Sequence, residues 1–365
     1  MKNHCFTGIL LAIFLLATSC GQPAVAMAAA APAEPTERVA DAPDSAPRCL
    51  TNATPHTTSE WLVYHDIVTD EAGNILPWVN PGNLCDSYDH IIRLVFEWWL
   101  NMERNPDEPD IPYYLMHMTW EPPSPYFDAQ GLGGDQLAMA MSSWRLYYAY
   151  SGDQRAIADM VLMADHILDH GLSPATDLWP NIPYPYNYDP DHLDILNGDF
   201  MYGEHIAQTD KAGSIGYELI YLYKITGNPR YLQAAVAIAN TLAQYTEAGD
   251  ESTSPLPFRV HTVTGAHNVG LGNMYTTNFT GLLMLWEELQ NVNAGNLAQY
   301  GVAHQRILDW LRTYPVHNNV YGAFFEDGPG FTNTQINAVT LAMYIMEHPT
   351  IWGSTWQADA RSVLD

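Results

Sequence analysis

Two stretches of the chain, 135–170 and 210–245, repeat one pattern of apolar and turn residues at a constant shift of 75 positions. In each, apolar residues recur at helical spacing, stop at a break of Ser-Gly-Asp or Thr-Gly-Asn, and then resume. A glycine at the break suits the left-handed end of a helix, so each stretch is predicted to be a hairpin of two helices. A unit repeated in fixed register predicts a fold made by packing successive hairpins.

Further hairpins are predicted from about 273 to 314 and from about 332 onward. Each hairpin must bury one apolar face against its neighbours, so we expect an all-α fold of the (α/α)6 toroid type. An open solenoid is the alternative, but the loops here are long and aromatic. The last pattern stops at the carboxyl end, so an incomplete toroid is expected there. Alternation over 258–263 before Thr264-Gly265 predicts a small β-hairpin insertion.

The amino-terminal residues have the pattern of a lipoprotein signal peptide. Residues 1–20 contain an apolar run too short to span a membrane and a lipobox that ends at Cys20. We expect lipidation there and a bacterial cell-envelope location, with plain secretion as the alternative. Residues 21–48, rich in Ala and Pro, predict a tether, and residues 49–365 a toroid catalytic domain. Cys49 and Cys85 are expected to form a disulfide, or else to remain two unpaired thiols.

The formal charge of −27 rests on 41 acidic against 14 basic residues. Such a chain repels nucleic acid, so we expect no nucleic-acid partner and membrane contact only through the lipid anchor. No Cys/His pattern suggests zinc. The acids Asp189, Asp191 and Asp194 are loosely spaced for calcium but lack the EF-hand pattern. We therefore predict no metal and no cofactor, with calcium as the alternative.

Two carboxylates are the first catalytic candidates. Asp135 and Asp210 occupy the same point of the repeat, at the start of the first helix of each hairpin. Hydrolysis of a glycosidic bond uses a carboxylate pair, one as acid and one as base or nucleophile. Asp is also a favoured helix cap, so a purely structural role is the alternative. Glu204 and His205, in the glycine-containing loop before Asp210, are further candidates for acid–base work.

The loops around the second repeat supply candidates for substrate binding. Aromatic residues of the excursion 171–209 suit stacking on sugar rings, or local packing instead. The stacking candidates are Trp179, Tyr184, Tyr186 and Tyr188, and Tyr202, in the glycine-containing loop before Asp210, is a further candidate for substrate binding. A second cluster consists of Arg259, His261, His267, Asn268 and Tyr275. An arginine there could bind a uronate carboxylate while a His or Tyr base removes the C5 proton, which is the chemistry of β-elimination.

From Asp86 to the end, the hairpins with aromatic, acidic loops resemble the six-hairpin toroid enzymes that act on carbohydrates. These include glycoside hydrolases, such as unsaturated glucuronyl hydrolases, and toroid polysaccharide lyases. For a hydrolase, the resemblance implies Asp135 and Asp210 as catalytic residues. For a lyase, it implies the residues Asn268, His267 or His261, Tyr275 and Arg259. The adjacent Asp-Asp pair of some toroid mannanases is missing, which disfavours that branch.

Three hypotheses follow. The first is a surface-anchored enzyme that hydrolyses glycosidic bonds in a polysaccharide or oligosaccharide. The second is a lyase that cleaves a uronic-acid polymer by β-elimination. The third is a lipoprotein that binds glycans without turnover. Fold alone does not separate these classes.

Overall fold

The structure is a computed structural model that describes residues 71–74, 84–100, 134–185, 196–199, 202–267, 275–322 and 335–365. These residues belong to two compact units. The first unit contains residues 71–74 and helix α1 (Leu84–Leu100). The second unit contains all the other described residues. The prediction of one domain over 49–365 stays a prediction.

The second unit is built from helical hairpins. The first three hairpins are α2 (Gly134–Ser151) with α3 (Gln154–His170), α4 (Thr209–Thr226) with α5 (Pro229–Tyr245), and α6 (Thr280–Asn291) with α7 (Leu297–Thr313). The remaining helices are α8 (Pro315–Asn318), α9 (Gln335–Glu347), α10 (Pro349–Trp352) and α11 (Trp356–Leu364). The two hairpins predicted from the repeat are confirmed to within one residue at each end.

The two repeated breaks share their hydrogen bonds as well as their residue types. The glycine of each break is left-handed, with φ of +73° and +71°. The hydroxyls of Ser151 and Thr226 both donate to the carbonyl four residues earlier. Asp153 and Asn228 both cap the next helix by accepting an amide N–H two residues later. The repeat therefore specifies how each hairpin turns.

The helices of the second unit form two layers. Helix α4 lies between α2 and α6, and α6 also contacts α9, so the first helices of successive hairpins are neighbours. Helices α3, α5 and α7 each pack against the first helix of their own hairpin. Large aromatic side chains fill the space between the helices, among them Trp144, Trp286 and Trp310. This alternation buries the apolar face of each hairpin, as the repeat predicts.

Glycines let α4 and α6 approach closely at their amino-terminal ends. A Cβ added to Gly213 would lie 2.6 Å from the Cβ of Leu282, and one added to Gly281 would lie 2.7 Å from the Cα of Ser214. Real side chains do not reach such distances, so both positions need glycine at this separation of the two backbones. The contact places the first turn of α4 beside the residues that lead into α6.

The strands are short and lie next to this contact. Strands β1 (Gly198–Asp199) and β2 (Gly203–Glu204) pair as an antiparallel hairpin, and β3 (Ile206–Gln208) pairs antiparallel with β4 (Arg259–His261). A small β-hairpin is therefore present, but β1 and β2 form it, within the excursion. The stretch predicted to form it, 258–263, instead supplies β4. In that pairing Val260 lies opposite Ala207 and both are fully buried, whereas an isolated two-stranded hairpin is at best marginally stable.

Several predictions about the amino-terminal part fall outside the described residues. These are the signal peptide with Cys20, the tether 21–48, and Cys49. Cys85 is exposed on α1. Lipidation and the disulfide stay predictions. No described helix is both long and apolar enough to cross a membrane.

Candidate functional site

The β3–β4 ladder brings two histidines together. Ile206 is paired with His261, and the carbonyl of the preceding residue, His205, accepts the amide N–H of Thr262 at 2.8 Å. The imidazole centroids of His205 and His261 are 5.7 Å apart. The side chain of His205 is 39% exposed, and His261 is half-buried. Two titratable rings from distant parts of the chain thus share one site.

The backbone of His205 is held in an unusual conformation. Its φ is +64°, whereas the other non-glycine residues with positive φ in the described part are asparagines, which tolerate this region better. A non-glycine residue held there costs about 1–3 kcal/mol, and such residues cluster at functional sites. Two hydrogen bonds hold the backbone of His205 in place. The N–H of His205 donates to the carbonyl of Asn197 at 2.9 Å, and its carbonyl accepts from the N–H of Thr262.

A chain of hydrogen bonds leads away from the His205 ring. The hydroxyl of Tyr184 lies 3.4 Å from Nδ1 of His205 and 2.8 Å from Oγ1 of Thr262. The Thr262 hydroxyl in turn donates to Oδ2 of Asp177 at 2.8 Å. Burial raises the pKa of Tyr184 to about 12, so its phenol stays protonated at neutral pH. The four side chains form one connected set.

The other ring atoms of the pair have few partners. Nε2 of His205 lies 3.9 Å from Oε1 of Glu204, which is beyond hydrogen-bond distance. Glu204 is 55% exposed, so solvent screens its charge. Nδ1 of His261 is buried and makes no hydrogen bond to any described residue. Within the described part of the chain, each ring therefore keeps a nitrogen atom that no hydrogen bond uses.

A buried ion pair lies on the same ladder. Asp199 has no exposed surface, and its Oδ2 accepts from Nε of Arg259 at 2.9 Å and from Nε2 of Gln208 at 3.0 Å. The guanidinium lies over the rings of Tyr202 and Phe258, at 4.2 and 4.4 Å from their centroids. Arg259 is thus already neutralised by a carboxylate. The predicted role in binding a uronate carboxylate would require this pair to open.

The structure places Asp210 in a second buried ion pair. Asp210 is the second residue of α4, and the cap position is occupied by Gln208. Its Oδ2 accepts from Nζ of Lys211 at 2.9 Å and from Nδ2 of Asn278 at 3.2 Å. Neither Asp210 nor Lys211 has more than 2% of its side chain exposed. Asp135 is the second residue of α2, as the repeat predicts, but its side chain lies outside the described part.

The aromatic candidates differ in their surroundings. Trp179 is 1% exposed, and its ring stacks on that of Tyr245 at 4.2 Å. His267 meets the same indole edge-on, with centroids 6.2 Å apart. Tyr184 is also buried. This favours the alternative of local packing for Trp179, and a hydrogen-bonding role rather than stacking for Tyr184.

Tyr275 lies in a different environment. Its hydroxyl donates to the carbonyl of Val320 at 3.0 Å, and its ring packs on Trp310 of α7 at 5.1 Å. Burial raises its pKa to about 12, which makes the phenol a poor base at neutral pH. The candidates Tyr186, Tyr188 and Asn268 lie outside the described residues, as do the acids considered for calcium, Asp189, Asp191 and Asp194.

The sequence indicated His205, His261 and Tyr184 as separate candidates, but did not pair them. It did not single out Asp177, and the pattern of the chain gives no signal for it, because its link to the site runs through Thr262. Nor did it single out Lys211. No group of three or more His, Cys, Asp or Glu side chains among the described residues is arranged to hold a metal ion.

Solved structures of other proteins resemble this chain. A cellobiose 2-epimerase from Spirochaeta thermophila matches with a TM-score of 0.53 at 12% identity, over 78% of this chain and 70% of that one. A sugar epimerase from a ruminal bacterium matches with a TM-score of 0.50 at 12% identity, over 75% and 70%. An unsaturated glucuronyl hydrolase from Streptococcus agalactiae matches with a TM-score of 0.45 at 14% identity, over 64% of this chain and 58% of that one.

The chain thus spans less than two thirds of the length of that hydrolase. No protein-family model matches the chain, and no curated protein matches it. At these identities the structural likeness establishes the fold and leaves the reaction open. It confirms the predicted all-α class, an α/α toroid of helical hairpins with few short strands, and the resemblance to the six-hairpin toroid enzymes.

Proposed function

We propose that the protein is a carbohydrate-active enzyme in which His205 and His261 transfer protons to and from a sugar. The observation that carries this proposal is the pair of imidazoles 5.7 Å apart, one of them part-exposed and hydrogen-bonded through Nδ1 to a tyrosine. Imidazole exchanges protons near neutral pH and serves both as acid and as base. Two such groups at one site suit a reaction that removes one proton and returns another.

Epimerisation of a reducing sugar is the reaction that fits this pair best. One imidazole takes the proton from the carbon beside the sugar carbonyl, and the electron pair moves onto the carbonyl oxygen as an enolate. The other ring, protonated, returns a proton to that carbon from the opposite face, the enolate collapses, and the configuration is inverted. The proposal rests on the histidine pair. The two structurally similar proteins named as epimerases give it further support.

The geometry is less favourable to the two other reactions, hydrolysis by a carboxylate pair and β-elimination with an arginine. Hydrolysis by Asp135 and Asp210 stays a prediction, but Asp210 is buried in an ion pair with Lys211, where neither water nor a sugar reaches it. β-Elimination from a uronic acid needs a cation for the substrate carboxylate, and Arg259 is committed to Asp199. The third hypothesis, glycan binding without turnover, gives no role to the pair of histidines.

The test measures proton exchange at sugar carbon. Purified protein is incubated with cellobiose, and separately with a uronate oligosaccharide, in D2O. We expect NMR to show deuterium at the carbon beside the carbonyl and a new epimer. His205→Asn, which keeps a residue tolerant of positive φ, and His261→Gln should each lower the rate at least about 100-fold. His317→Gln, an exposed residue of α8, is the matched control and should change nothing.

Other outcomes would overturn the proposal. Release of reducing ends that is lost only in Asp135→Asn would support the hydrolase. New absorbance at about 235 nm, typical of an unsaturated uronide, would support the lyase. Binding without turnover of either substrate would support the glycan-binding protein. Lipid anchoring at Cys20, a cell-envelope location and the size of the sugar substrate remain proposals from the sequence.

A further inference from the structure

We infer that Asp177, Thr262 and Tyr184 fix the tautomer of His205, so that Nδ1 carries the proton and Nε2 is the basic atom. The three are positioning residues that act through His205. The catalytic meaning of this inference rests on the proposed function. The tautomer itself is a property of the folded protein and is measurable without any substrate.

The direction of the hydrogen bonds follows from the number of protons available. A carboxylate only accepts, so the single hydroxyl proton of Thr262 is used by Asp177. Oγ1 of Thr262 can then only accept from Tyr184 across the 2.8 Å contact. The phenol proton of Tyr184 is thereby used as well. Its oxygen has only lone pairs left to face His205.

The contact between Tyr184 and His205 determines the tautomer of the imidazole. Nδ1 of His205 lies 3.4 Å from that phenol oxygen, so a favourable contact needs a proton on Nδ1. The opposite tautomer would put the lone pair of Nδ1 against the lone pairs of the tyrosine oxygen. A neutral imidazole has one N–H, so Nε2 keeps its lone pair. The buried phenol does not ionise near neutral pH, which keeps the whole chain in this direction.

The surroundings of Nε2 suit a base. Nε2 belongs to a side chain that is 39% exposed, and the carboxylate oxygen Oε1 of Glu204 lies 3.9 Å away, too far to accept a hydrogen bond. When Nε2 accepts a proton from a substrate carbon, the ring becomes cationic between Glu204 and the tyrosine oxygen. His261 returns a different proton to the carbon, so the proton on Nε2 is lost to solvent from the 39%-exposed side chain of His205. That loss restores the starting tautomer, and the chain of positioning residues is unchanged after each cycle.

The experiment reads the tautomer directly. In protein labelled with 15N-histidine, two-bond 15N–1H correlations at neutral pH should show His205 with its proton on Nδ1. The Thr262→Val variant removes the acceptor for Tyr184, whose proton is then free to point at Nδ1. We expect the His205 proton to move to Nε2 and kcat to fall at least about tenfold, with KM little changed. Thr262→Ser should restore both the tautomer and kcat.

Two further variants guard against a trivial effect on folding. Tyr184→Phe removes the oxygen that Nδ1 faces and should also shift the population towards Nε2–H. Thr313→Val, at an exposed site on α7, is the matched control and should leave His205 unchanged. A wild-type spectrum with the proton on Nε2 would overturn the inference. The expected tautomer together with full activity of His205→Asn would overturn the proposed function and leave the tautomer assignment standing.

Discussion

Asp210 and Lys211 are neighbouring charged residues that the fold removes almost completely from water. Burying two charges is costly, and their attraction repays that cost only when the geometry is close and the remaining polar atoms are bonded. Here the carboxylate also accepts from the amide N–H of Lys211 at 2.8 Å and from Asn278. The pair is therefore specific in position, and we expect its net contribution to stability to be small.

Replacing one partner of this pair should lower the free energy of unfolding far more than replacing both partners. We expect Asp210→Asn to lower the free energy of unfolding by about 3–5 kcal/mol, because it leaves the Lys211 ammonium buried without its carboxylate. The double variant Asp210→Asn with Lys211→Met should recover most of that loss. Urea denaturation measures both. Asp309→Asn, whose side chain is 63% exposed, is the control and should change stability by no more than about 0.5 kcal/mol.

The idea fails if the double variant is as unstable as Asp210→Asn alone. The result also bears on the hydrolase hypothesis. Lost activity in Asp210→Asn has no catalytic meaning unless the variant is still folded. The double variant separates a catalytic role of Asp210 from a loss of activity through unfolding, because it lacks the carboxylate but should keep a stable core.

At the scale of elements, the crossing of α4 and α6 determines where the site lies. Residue Gln208 ends β3 and α4 begins at Thr209, so no loop separates the strand that follows His205 from the helix. Any shift of α4 is therefore passed directly to the β3–β4 ladder. The two glycines at the crossing, Gly213 and Gly281, set the distance between the helices.

A methyl group at this crossing should destabilise the fold. We expect Gly281→Ala to lower the free energy of unfolding by about 1–3 kcal/mol, because the new Cβ meets the backbone of Ser214 at 2.7 Å. Gly301→Ala is the matched control: Gly301 lies inside α7 with nothing within 4 Å of an added Cβ. Gly301→Ala should instead raise the free energy of unfolding by up to about 1 kcal/mol, because alanine has the higher helix propensity. Thermal and urea unfolding measure both variants.

Equal effects of the two substitutions would contradict the close-packing argument. If Gly281→Ala remains folded, the β3–β4 ladder should also move with α4. The chemical shifts of His205 and His261 would then change in this variant and not in Gly301→Ala. This readout connects an element-scale change to the histidine pair.

At the scale of the whole molecule, the charge of −27 sets the response to salt. Like charges on a compact chain repel, and this repulsion is screened beyond about 10 Å at 0.1 M ionic strength. We expect Tm to rise by a few degrees between about 0.01 M and about 0.5 M sodium chloride, because screening relieves the folded state more than the expanded one. Differential scanning calorimetry measures this.

Sulfate is the control for the salt experiment. It stabilises folded proteins by exclusion from their surface, irrespective of net charge. If chloride leaves Tm unchanged and only sulfate raises it, exclusion explains the effect and self-repulsion does not. A fall in Tm with chloride would show that favourable ion pairs outweigh the excess of acids.

The hairpins, their breaks and their caps follow from the sequence alone. Their hydrogen bonds join residues close together in the chain, such as Ser151 with the carbonyl four residues earlier, so local residue types specify them. The sequence also identified His205, His261 and Asp210 as polar residues of unusual position. It left their roles open, because an Asp at a helix start serves equally as a cap, a catalyst or an ion-pair partner.

Which of these residues meet depends on long-range packing. The β3–β4 ladder joins two segments far apart in the chain, and this long-range pairing places His205 beside His261. The strand pattern at 258–263 was recognisable, but a three-residue strand pairs with whatever backbone is held beside it. The carboxylate of Asp210 was committed to Lys211 by burial, which depends on the packing of α4 against α6 and not on any local pattern.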